Sequence, residues 1–91
     1  MTIDIKGVGR ITASRHTINN IIILMHDSAD YLTVRAERYE ERERKGDVEL
    51  GELSGEPMSV VCRNCAKHKW NASTEAYNAL EATGYYGRKE N

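Results

Sequence analysis

"HTINNIIILMHDSADYLTVRAERYEERERK", residues 16–45, contains neither Pro nor Gly. Apolar side chains recur in it at Ile18, Ile22, Met25, Ala29, Leu32, Ala36 and Tyr39, in alternating steps of four and three. That is the a/d rhythm of a heptad helix. Thr17 offers a side-chain cap at one end, and Gly46 stands where a C′ glycine ends a helix at the other. One helix over residues 17–45 would be about 42 Å long, more than a 91-residue chain readily covers by itself. The stripe then has two uses. It is core within the chain, or it is the seam of a homodimer. Ala29 and Ala36 alternate with the larger Met25, Leu32 and Tyr39, and small residues let two helix backbones approach closely. The reading adopted is a homodimer through Ile18, Ile22, Met25, Ala29, Leu32, Ala36 and Tyr39. The off-stripe Ile21, Ile23, Leu24, Tyr31 and Val34 are then expected to pack against the rest of the chain.

A rival reading splits the stretch. "NIIILM" is rich in β-branched residues and suits a buried strand. Asp27 would then cap a shorter helix from Ser28 to Lys45, with Asp30 near its positive end.

Before this segment, "TIDIKGVGRITAS" alternates Ile3 and Ile5 with Ile11 and Ala13 around Gly7 and Gly9, which predicts a β-hairpin over residues 1–14. After it, "GDVELGELSGEP", residues 46–57, holds three Gly, one Pro and four acids without a base, and reads as an acidic loop. Residues 58–84 read as a short strand "MSVV", a C-x-x-C knuckle and a helix capped at Ser73 or Thr74 and ended by Gly84. Residues 85–91 read as a tail. The expected fold is therefore α-rich α+β in one domain: a long central helix, an N-terminal β-hairpin, and a C-terminal helix after the knuckle.

The charge-rich "RAERYEERERK", residues 35–45, carries five positive and four negative side chains. It reads as a solvated helix end with favourable pairs Glu40–Arg44 and Glu41–Lys45. The net charge of −1 argues against a binder held mainly by phosphates. No signal peptide is visible and the apolar run Ile21–Met25 is far too short to span a bilayer, so the expected location is cytoplasmic, without a membrane partner.

The two cysteines, Cys62 and Cys65, have His68 three residues on. In a reducing compartment this spacing reads as metal or redox before disulfide. Cys62, Cys65 and His68 would supply three of the four ligands of a zinc site, the fourth coming from His16, His26, a carboxylate or a second chain. A thiol oxidoreductase would need a helix N-terminus and nearby cations at the first cysteine, and the chain lacks the βαβ setting and later Pro of that chemistry. The bland alternative makes both cysteines small apolar residues. No phosphate loop, G-x-S-x-G or H-E-x-x-H is present, and in "HDS", 26–28, helix neighbours point about 100° apart, so these three form no triad by themselves.

The expected function is non-enzymatic: a small protein-binding or inhibitory accessory protein, of the kind phages and mobile elements use to block host defence, acting as a homodimer on a host or cognate protein. The alternative is a zinc-stabilised nucleic-acid-binding or transcription-regulating module using Arg63, Lys67, Lys69, Trp70, Arg88 and Lys89. The third class is a thiol oxidoreductase.

Overall fold

The computed structural model describes residues 1–87. Two strands, β1 (Thr2–Ile5) and β2 (Gly9–Thr12), precede two helices, α1 (Arg15–Arg44) and α2 (Met58–Glu81). The fold is α+β and helix-rich, with the hairpin and the unbroken long helix in the expected places. The rival strand at "NIIILM" does not form. The helices lie antiparallel in a slab of 53 × 27 × 16 Å.

The hairpin pairs Ile3 with Ile11 and Asp4 with Arg10. Its turn is closed by the Val8 N–H donating to the Ile5 carbonyl at 3.0 Å. Gly7 takes φ +82° there, a conformation that side chains resist. Alternation sends Ile3 and Ile5 inward while Asp4 and Arg10 pair outside at 3.0 Å.

Helix α1 begins three residues earlier than a Thr17 cap would start it. Ser14 is the cap: its Oγ accepts from the Thr17 N–H at 3.1 Å. At the far end Gly46 adopts φ +90°. Gly46 N–H donates to the Glu43 carbonyl and Asp47 N–H to that of Arg42, both at 3.0 Å, the paired bonds of a Schellman motif.

The second helix departs most from expectation. The "MSVV" strand and the cysteine knuckle are both absent, because Met58–Glu81 is one continuous helix that contains Cys62 and Cys65. Ser73 lies inside it, buried, its hydroxyl donating back to the Trp70 carbonyl at 2.9 Å. The cause is a second heptad. Ser59, Cys62, Ala66, Lys69, Ser73, Ala76 and Leu80 recur in steps of three and four, and all but Lys69 are buried. Packing along this stripe overrides the β preference of Val60 and Val61. The stripe of α1 meets it: Ile18, Ile22, Ala29 and Ala36 are buried within the single chain. The expected dimer seam is thus used internally, with Met25, Leu32 and Tyr39 half-buried along its edge. The off-stripe expectation also changes. Only Ile21 is partly covered; Ile23, Leu24, Tyr31 and Val34 face solvent.

The sheet covers one end only. Ile3, Ile5, Ile18, Ile22, Ala72, Ala76 and Leu80 form the large-residue core, joined by Tyr85 and Tyr86. These tyrosines are not tail, because Gly84 at φ +80° turns the chain back. Tyr86 then donates its hydroxyl to Asn19 Oδ1 at 2.7 Å and stacks on Tyr77 at 5.0 Å.

Candidate functional site

The candidate metal ligands do not converge. Cys62 is buried in the helix seam and Cys65 is exposed. His68 supports the hairpin turn instead: a Cβ on Gly7 would lie 2.8 Å from His68 Cε1. Beside that contact the Lys6 N–H donates to both Glu75 carboxylate oxygens at 3.2 Å. Among the described residues the one group whose ligand atoms gather within 4.8 Å of one another is His26, Asp27 and Asp30, open to solvent. His26 Nδ1 is 3.6 Å from Asp30, and the His26 ring lies 4.6 Å from Trp70. The signal for it in the sequence was the His–Asp spacing of four on a helix.

Three of the basic and aromatic candidates share a groove. Arg63, Lys67 and Trp70 line about 370 Å³ between the helices, with Asp30 and Thr33 on the opposite wall. Arg63 is already engaged. Its guanidinium donates to both Glu40 oxygens, at 2.7 and 2.9 Å, across from α1. That hydrogen bond holds the Glu40 carboxyl below its ordinary range and Arg63 above its own. Glu40 is therefore taken from the expected pair with Arg44, while Glu41 pairs with both Arg44 and Lys45. Lys69 is half-buried and outside the groove. Arg88 and Lys89 lie outside the described residues.

Sequence reasoning missed the Glu43 clamp. Glu43, near the end of α1, accepts from the Ser59 N–H at 3.2 Å and the Ser59 hydroxyl at 2.6 Å. It satisfies a free N–H at the start of α2, with its charge at that helix's positive end. Pro57 itself gives no side-chain cap.

The outward side of α1 carries the most distinctive surface. Ile23, Leu24, Tyr31 and Val34 are 49%, 67%, 62% and 45% exposed. Toward the turn this side becomes an arginine–tyrosine ladder. Arg35 lies 5.8 Å from the Tyr31 ring centre and 5.7 Å from that of Tyr39, and Arg42 lies 5.3 Å from Tyr39, each within cation–π range. Arg35 also donates to the Tyr39 hydroxyl at 3.1 Å, the chief reason its pKa is raised. With Arg38 these residues line an open hollow of about 360 Å³. Among the described residues, neither Arg35 nor Arg38 has a carboxylate within 4.0 Å. Arg42 at the rim pairs with Asp47 at 2.9 Å and Glu49 at 3.7 Å.

No helix among the described residues is long and apolar enough to cross a membrane. The chain matches no protein-family model, no curated protein and no solved structure.

Proposed function

We propose that the chain is a non-enzymatic protein-binding module that acts by covering a surface on a protein partner with the outward side of α1. The observation that carries this reading is the exposure of Ile23, Leu24, Tyr31 and Val34 on a helix whose other side is filled by α2 and the sheet. Apolar side chains exposed along one side of a helix, here with the charged Asp27 between Leu24 and Tyr31, can together form an interaction surface, and exposed Tyr beside Arg is the composition of binding hot spots. An inhibitory role on a host or cognate protein fits a small helical hairpin presenting one such side. The test places a photo-crosslinking amino acid at Leu24 or Val34 and, as a control, at Thr2 on the exposed face of the sheet. A discrete heteromeric adduct from the α1 positions, absent from the control and suppressed by Tyr31→Glu, is expected. Equal adducts from all three positions would remove the reading.

A second reading rests on Trp70, 47% exposed beside Lys67 in the interhelical groove. A base stacked on such an indole contributes about 1–3 kcal/mol. This nucleic-acid reading requires single-strand binding at low salt that falls steeply as salt rises and is lost in Trp70→Ala. Absence of binding at low salt ends it.

A further inference from the structure

The acidic loop between the helices supplies what the arginine–tyrosine ladder lacks. Residues 46–57 carry Asp47, Glu49, Glu52 and Glu56. Leu50 is 56% exposed and Leu53 is fully exposed. Among the described residues Glu52 and Glu56, on either side of Leu53, hold no ion pair. The ladder presents the opposite set: two arginines without carboxylates, Arg35 and Arg38, beside an exposed Tyr31. The two surfaces adjoin, because Arg42 on the rim of the ladder pairs with Asp47 and Glu49 at the start of the loop.

A surface with positive charge at one end, negative charge at the other and apolar groups in both is self-complementary. An interface about a two-fold axis requires that property, since residue i meets j and j meets i. Within one chain the loop is tied back by Gly51 N–H to the Glu56 carbonyl at 2.8 Å and by Met58 N–H to the Glu49 carbonyl at 2.8 Å. These bonds use main-chain atoms only, and the Glu52 and Glu56 side chains stay exposed.

We propose that the chain self-associates as a two-fold dimer in which the loop 46–57 of each copy docks on the Tyr31–Arg35–Arg38–Tyr39 surface of the other. The proposal rests on the reading of α1's outward side as a binding surface and goes beyond it by naming a second copy as one occupant. It replaces the internal heptad stripe with a different surface of the same helix.

The experiment is mass measurement by sedimentation or light scattering, at about 50 mM and about 500 mM salt, where screening lengths differ several-fold. The wild-type chain is expected to have the dimer mass at low salt and to shift toward monomer at high salt. Arg35→Glu with Arg38→Glu, and separately Glu52→Arg with Glu56→Arg, should each give a folded monomer, checked by circular dichroism. Mixed in equal amounts, the two double variants should regain the dimer mass, because each loop then faces a surface of opposite charge. A monomeric wild type at low salt, a dimer indifferent to salt, either double variant remaining dimeric, or a mixture that stays monomeric would each overturn the proposal. The crosslinking test at Leu24 reads a partner of different mass. A monomer that still gives that adduct overturns the dimer alone, whereas a dimer without the adduct overturns only the separate protein partner and leaves the outward side of α1 as a binding surface for a second copy.

Discussion

At the end that carries the sheet, Ile18, Ile22 and Leu80 meet under Ile3 and Ile5, and large side chains fill three layers. At the turn end there are two layers, and the buried residues are Ala29, Ala36, Ser59, Cys62 and Ala66. Each buried Ile or Leu contributes about 1.5–3 kcal/mol by leaving water, and the turn end has none. What holds that end is close fit between small residues, the Glu43–Ser59 clamp and the Glu40–Arg63 pair. The two ends should therefore fail differently: the first when volume is removed, the second when volume is added or a polar bond is cut.

The largest effect is expected at the sheet end. Leu80 is completely buried, and Leu80→Ala should destabilise the chain by about 2–5 kcal/mol through a cavity, read by urea unfolding. A cost under about 1 kcal/mol would mean that this end is not the main core. At the turn end the informative change is enlargement. Ala36 is also completely buried, and Ala36→Leu should cost about 1–3 kcal/mol by overpacking; a gain in stability would show slack in the seam. Glu43→Gln should cost about 0.5–2 kcal/mol, since it weakens an interhelical cap, and Ser59→Ala in that background should add little. The smallest effect is the pH response of Glu40. Its folded pKa lies below the ordinary 4.5 because of Arg63. The stability it contributes is thus complete above that ordinary value and is lost as pH falls through the lowered folded one. Arg63→Gln should flatten this acid limb in thermal unfolding, and added salt should shrink it. An unchanged acid limb would show that the pair is idle.

The hairpin and α1 were legible because each obeys a strong local period: Ile3 and Ile5 at a spacing of two, Ile18 to Tyr39 at three and four. The α2 heptad obeys the same period but, until Leu80 at its end, is written in Ser, Cys, Ala and Lys. Its hydrophobic contrast is faint, and the C-x-x-C within it suggests a different motif. Val60 and Val61 added a local preference for strand that packing against α1 outweighs. The outward surface was not legible: the heptad reading sends Ile23, Leu24, Tyr31 and Val34 against the rest of the chain, and the fold leaves them exposed. Arg35 and Arg38 sit in a run of nearly balanced charge, and only the folded chain shows that Glu40 and Glu41 turn to other cations, leaving those two arginines without a carboxylate.

The cysteine pair also has a practical consequence. Cys65 is exposed and Cys62, one helical turn away, is sealed between the helices at 4% exposure. A thiol reagent should modify Cys65 at once and Cys62 only when the turn end opens. The lag between the two modifications would time the parting of the helices, giving the chain a native chemical clock for its turn end.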